Sequence, residues 1–197
     1  MTLCFWPCSC GDQRVRAAIA AHYTASGGAP PGRKLAWCVL EDGGLLGVLG
    51  LGEPAFKLAA RRVLGLQDAR PLPRTVSCWI WRRLHRDTPI RSSAVLRAWH
   101  PVAAEAWARA YGETPEHWES MVQPDAVESS VPGACFRRAG YRPIGMTTGW
   151  TARRPKGHGH GPRVWGPAPK KLVLYRGPLA RVAPHREEVV APDADAV

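Results

Sequence analysis

Pro132-Gly133-Ala134-Cys135-Phe136-Arg137-Arg138-Ala139-Gly140-Tyr141-Arg142-Pro143-Ile144-Gly145-Met146-Thr147-Thr148-Gly149 decides how this chain is read. Its first part predicts a short helical turn over 134–139. Gly140 ends that turn, because glycine accepts the left-handed conformation of a C-cap at little steric cost. A β-segment over 142–148 follows. The turn starts right after Pro132-Gly133, where backbone N–H groups are available to an anion. Taken locally, the same pattern is also a plain helix–turn–strand corner with solvated arginines.

Outward from this corner, charge is the next signal. The chain has 197 residues and a formal net charge of +11. No carboxylate lies between Glu128 and Glu187, whereas twelve Lys or Arg residues run from Arg137 to Arg186. A one-sign block on patterned sequence suits a polyanion, since lysine and arginine release phosphate counterions on binding. The alternative is a generally arginine-rich protein. Length fits one domain. No apolar run approaches the ~18 residues of a membrane span, and no secretory signal is read, so a cytoplasmic protein with no membrane partner is expected. Six cysteines without framework spacing read as reduced thiols.

Toward the N-terminus, Cys4, Cys8 and Cys10 belong to a thiol-rich lead-in over 1–11. Asp12 caps a predicted helix from Gln13 to Tyr23, with Val15, Ile19, His22 and Tyr23 on one face. Two apolar runs, 34–40 and 45–51, flank Glu41-Asp42-Gly43-Gly44, a strong hairpin signal. Pro54 opens a helix to Leu64 that Gly65 stops, with Arg61 and Arg62 expected on its exposed face. A strand is predicted over 75–81. Thr88-Pro89 then reads as the cap of a long helix ending at Tyr111 and Gly112. Its expected stripe is Val95, Trp99, Val102, Ala106 and Ala110, with a bend or break at Pro101. Strands are expected over 117–122 and 170–175, and an acidic disordered tail over 182–197.

The fold class predicted from this order is α+β, a single domain over 12–181 with a mixed β-sheet flanked by helices. The order resembles that of the Gcn5-related N-acetyltransferase (GNAT) fold. The corner itself resembles the C-terminal signature of Mom-type phage DNA-modification proteins and the related Druantia-type defence domain. The pieces that carry this likeness are Gly133, Phe136, Arg137, Ala139, Gly140 and Tyr141, then Gly145, Thr147 and Gly149, and finally Lys170 to Tyr175. Tyr111-Gly112-Glu113-Thr114-Pro115, with Glu119 and Pro124, looks closer to the Druantia-type form. Two positions depart from the family: Gln123 stands where an acidic residue is usual, and Phe136 where tyrosine is favoured.

The Mom resemblance implies a transferase that adds a small acyl-derived, carbamoylmethyl-like group to a base amine, with adenine as target, and so protects phage DNA from restriction in a bacterial host cell. It implies double-stranded DNA and a small-molecule group donor as partners. His22, Tyr23 and Tyr111 are the catalytic candidates, His22 being also the best candidate ligand should a metal ion be used. Arg86, Arg91, Ser92 and Ser93 are candidates for an anionic cofactor, acetyl-CoA or a related acyl donor, at the start of the long helix. Arg137, Arg138, Arg142, Arg153, Arg154, Lys156, Lys170 and Lys171 are the candidates for the phosphate backbone. Trp150 and Trp165 are candidates for stacking on an extruded base. A non-catalytic DNA-binding module and a small-molecule GNAT acyltransferase stand as the alternatives.

Overall fold

The computed structural model describes residues 2–20, 32–55, 57–80, 90–127, 130–148 and 169–178. Its strands are β1 (Leu3–Cys8), β2 (Lys34–Glu41), β3 (Gly44–Gly52), β4 (Thr75–Ile80), β5 (His117–Val122), β6 (Arg142–Met146) and β7 (Leu172–Arg176). Its α-helices are α1 (Gln13–Ala20), α2 (Ser92–Tyr111) and α3 (Ala134–Arg138). The strands form one seven-stranded sheet in the order β1-β2-β3-β4-β5-β7-β6. Only β4 and β5 run parallel, joined by the α2 crossover. This is the mixed, helix-flanked sheet implied by the element order. The stretch set apart as a lead-in supplies β1, paired along β2 from Leu3↔Glu41 to Cys8↔Ala36.

Local chemistry explains most of the elements. Asp12 Oδ1 accepts the Arg14 N–H at 2.8 Å, capping α1, and Val15, Ala18 and Ile19 bury the helix on the sheet. Asp42 and Gly43 both take positive φ, 46° and 84°, so the β2–β3 turn twists with its strands. Gly65 and Gly140 also have positive φ, at 79° and 91°.

Four expectations change. The Pro54–Leu64 helix is a 3-10 helix over Ala59–Leu64, and Arg61 is fully buried while Arg62 is exposed. Helix α2 starts at Ser92, because Arg91 is extended at φ −75° and ψ 136°. Its inner face is Val95, Leu96, Trp99, His100, Ala103 and Trp107, whereas Val102 is 38% exposed. Val95 and Trp99 are buried as expected, with Trp99 edge-on to Trp37 and Trp118; beyond them the stripe runs through Ala103 and Trp107 in place of Val102, Ala106 and Ala110. Pro101 does not break the helix. It lies on the exposed side, where the carbonyl of Arg97 loses its helical donor at a solvated position.

The core has two sides. On one, Trp37, Leu49, Val76, Cys78, Trp118 and Leu174 pack with α2 and Phe136 of α3. On the other, Ala36, Cys38 and Val48 lie under α1, and Ile144, Val173 and Tyr175 gather around Ala60.

Candidate functional site

Strands β4 and β5 pair through only three rungs, Thr75↔His117, Val76↔Trp118 and Ser77↔Glu119. Beyond them β4 continues on β3, as far as Leu49↔Ile80, and β5 continues on β7, as far as Val122↔Leu172. The two strands therefore part toward their C-terminal ends. In open α/β sheets such a parting beside a crossover helix is where ligands bind. Ser120 Oγ donates to the Cys78 carbonyl at 2.9 Å and bridges the first step of the gap.

The start of α2 adds positive charge. It has no side-chain cap and no acidic residue in its first turn. A cleft of 560 Å³ lies against it, lined by Leu3, Ile90, Arg91, Ser93, Ala94, Arg97 and Arg138. Among the described residues, three arginines and no carboxylate-bearing residue line this space, at the positive end of a helix dipole. Arg97 Nη1 also donates to the Arg138 carbonyl at 2.8 Å, tying α2 to α3. The chemistry of this donor set fits a phosphate or pyrophosphate group.

On the α2 side of the sheet, buried polar groups meet. Tyr141 Oη lies 2.8 Å from His100 Nε2 and 3.0 Å from Cys78 Sγ. Arg176 Nη1 contacts His100 Nδ1. Burial, then the Arg176 charge, lowers the His100 pKa to about 3, so the ring is neutral. Burial pushes the Cys78 thiol up to about 12 and raises Tyr141 well above its ordinary value.

The other side of the sheet holds a closed ion pair. Arg61 Nε and Nη2 donate to Glu119 Oε1 and Oε2, both at 2.7 Å. The guanidinium also donates to the Ala69 and Ala55 carbonyls, at 3.0 and 2.9 Å. Ser77 Oγ, across from Glu119 on β4, is buried with no hydrogen-bond partner among the described residues.

Of the cofactor candidates, Arg91 and Ser93 line the cleft, and Ser92 is the first residue of α2. Tyr111 lies elsewhere. Its hydroxyl accepts the Lys34 N–H at 3.1 Å and donates to the Lys34 carbonyl at 3.0 Å. That pins the far end of a helix of 20 residues, about 30 Å from its start. Tyr111 does not line the cleft. His22, Tyr23, Arg86, Trp150, Arg153, Arg154, Lys156 and Trp165 lie outside the described residues.

The described phosphate-contact candidates do not share one surface. Arg138 lines the cleft, whereas Arg142 pairs with Tyr175, whose side chain faces the Ala60 side. Arg137 and Lys170 are exposed; Lys171 is half-buried, and burial lowers its pKa. Among the described residues, no group of three or more His, Cys, Asp or Glu is placed to hold a metal. Cys4, Cys8 and Cys10 are free thiols, with Cys8 Sγ 3.7 Å from Cys38 Sγ. No described helix is long and apolar enough to cross a membrane.

The sequence reading missed His100, Arg97, Cys78, Tyr141 as a hydroxyl, and the Arg61–Glu119 pair. One signal was available: His100 follows Trp99 on α2, so it shares the edge of the buried face.

No protein-family model matches the chain, and no curated protein matches its sequence. Solved structures do. The aminoglycoside acetyltransferase AAC(6')-Ib, in complex with paromomycin and acetyl-CoA, is 10% identical with a TM-score of 0.42; the match covers 73% of this chain and 64% of that one. An acetyltransferase from Bacillus subtilis in complex with CoA is 12% identical at TM-score 0.44, covering 75% and 78%. An IAA acetyltransferase from Bacillus cereus is 15% identical at TM-score 0.40, covering 73% and 77%. The chain thus spans 64% of the length of the aminoglycoside enzyme's chain.

Proposed function

We propose that this chain is a GNAT-fold acyltransferase that moves an acyl group from a thioester donor with a phosphate-rich handle, of the acyl-coenzyme A kind, to an amine of a small molecule. The observation that carries this reading is the arginine-lined cleft at the start of α2, set beside the parting of β4 and β5. Arg91, Arg97 and Arg138 would hold the phosphates. The bound donor supplies an activated acyl carbon. His22, outside the described residues, is the candidate base for the amine.

Calorimetric titration of full-length protein with coenzyme A tests this reading. Saturable binding that Arg97→Glu abolishes, with the fold intact, supports it. Absence of binding to the wild-type chain overturns it.

A second reading keeps the transfer but makes the acceptor a DNA base amine, adenine first, as in Mom-type proteins. The twelve cations from Arg137 to Arg186, unbroken by a carboxylate, favour it. The separation of Arg138 from Arg142 by the sheet counts against one continuous phosphate track, so the small-molecule reading stands first.

A further inference from the structure

Where α1 crosses the β1–β2 edge of the sheet, two thiols meet. Among the described strands, β1 is an edge strand with β2 as its one neighbour. Cys8 stands opposite Ala36 and Cys38 opposite Trp6, so the two cysteines are diagonal neighbours on one face. That face lies under α1. Cys38 is fully buried there with Ala36 and Val48, and Cys8 and Cys10 pack half-buried against the same cluster. Cys8 Sγ lies 3.7 Å from Cys38 Sγ.

This separation decides what can join the two sulfurs. A disulfide holds its sulfurs about 2.05 Å apart, about 1.7 Å closer than they stand here. It also needs Cα atoms within about 7 Å, whereas diagonal cross-strand positions lie about 7–8 Å apart. Closing that bond would drag the strands together. An ion between two thiolates asks for the opposite movement. With the ~2.3 Å of a zinc–thiolate bond as yardstick, two sulfurs in line with an ion sit about 4.6 Å apart, and closer when bent. Opening the pair by about 0.9 Å reaches that span through side-chain rotation alone.

We infer that Cys8 and Cys38 form a two-thiolate site for a soft monovalent metal ion, of the copper(I) class, that clamps edge strand β1 to β2. The site stands apart from the transferase reading and does not depend on it. The donor set selects the ion. Thiolate sulfur suits copper(I), zinc and iron–sulfur clusters. Structural zinc and the clusters take four ligands. Among the described residues, no group of three His, Cys, Asp or Glu is placed to supply them. A closed-shell monovalent ion is satisfied by two sulfurs. On binding, each thiol gives its proton to solvent, the ion leaves its carrier, and two sulfur–metal bonds form with no change of oxidation state. The complex carries one negative charge. Arg14, in the first turn of α1, has its guanidinium within electrostatic reach of both sulfurs, while its partner Asp12 acts on Cys8 with the opposite sign. Lys34 of β2 acts on Cys10. Cys8, half-buried on the same face as the 56% exposed Trp6, is the side from which an ion enters.

The test uses full-length protein, reduced and free of oxygen, with copper(I) supplied as its bicinchoninate complex in excess chelator. The expected result is one copper withdrawn per chain, with two sulfur neighbours by X-ray absorption. Cys8→Ser and Cys38→Ala should each lose it, and Cys10→Ser should keep it, with folding checked by circular dichroism. Cys8→Ser, a change at a half-buried position, decides alone if Cys38→Ala does not fold. Copper should raise the melting temperature of wild type and not that of Cys8→Ser. Wild type that withdraws no copper overturns the proposal, as does uptake retained in Cys8→Ser or lost in Cys10→Ser. With oxidised glutathione and no metal, the two thiols should stay unjoined. A disulfide between them, read as the loss of two hydrogens in the linked peptides, would show that the sulfurs close where they were expected to open, and also overturns it.

Discussion

Arg61 and Glu119 face each other in the interior, with both guanidinium–carboxylate contacts at 2.7 Å and side-chain exposures of 0% and 1%. The pair fastens the β3–β4 connection to the sheet beside the last rung that joins β4 to β5. Two ions out of water are tolerated here because the guanidinium is also held by two carbonyls.

Removing one partner leaves a buried, uncompensated charge. Arg61→Met and Glu119→Gln are each expected to cost about 3–5 kcal/mol, read from urea unfolding. The double replacement Arg61→Met with Glu119→Leu should recover much of that loss. A single variant within ~1 kcal/mol of wild type would show that water reaches the pair.

Acid should weaken the fold through His100. Its folded pKa, about 3, lies below its unfolded value near 6.5. The unfolded chain therefore binds the extra proton as pH falls from about 6.5 to about 3, and stability drops over that window by up to about 1.4 kcal/mol per pH unit. Melting temperatures from pH 7 to pH 4 should fall less steeply for His100→Gln than for wild type. Equal slopes would mean that the imidazole is charged or exposed.

Arg138 and Arg97 should separate binding from stability. Both residues line the cleft, and Arg97 also donates to the Arg138 main-chain carbonyl. Arg138→Gln is expected to weaken coenzyme A binding roughly tenfold with little change in melting temperature. Arg97→Gln should weaken binding and lower the melting temperature as well, because it unties α2 from α3.

Gly133 has φ +74°, and a Cβ there would lie 2.6 Å from Leu174 Cδ1. Gly133→Ala therefore meets both backbone strain and a clash with β7. A loss of about 1–3 kcal/mol is expected in thermal unfolding. Leu174→Val should relieve only the clash, so the paired variant should stay below Leu174→Val alone.

Local rules carried the sequence reading where local physics decides. Asp42-Gly43 specified its hairpin, Asp12 its helix start, and Gly65, Gly112 and Gly140 their stops. The α+β element order followed from these pieces. Arg61 was misplaced because its partner lies 58 residues away, a contact no local pattern encodes. The α2 stripe was legible at Val95 and Trp99 and misread beyond them, because Trp107 buries against the Tyr111 ring and takes the place of Ala106 and Ala110. His100 and Tyr141 carry no spacing signal, since 41 residues separate them. The basic run was legible as charge, but not the sheet that sets Arg138 and Arg142 on opposite sides.

Incubating full-length protein with isotope-labelled acetyl-CoA, a mixture of small amines and double-stranded DNA, then following the label by mass spectrometry, asks what the chain does. Label in a small amine, lost with Arg97→Glu, is the expected result. Label in DNA nucleosides would move the acceptor to the second reading, and label in neither fraction, with donor unbound, would contradict the transferase assignment itself.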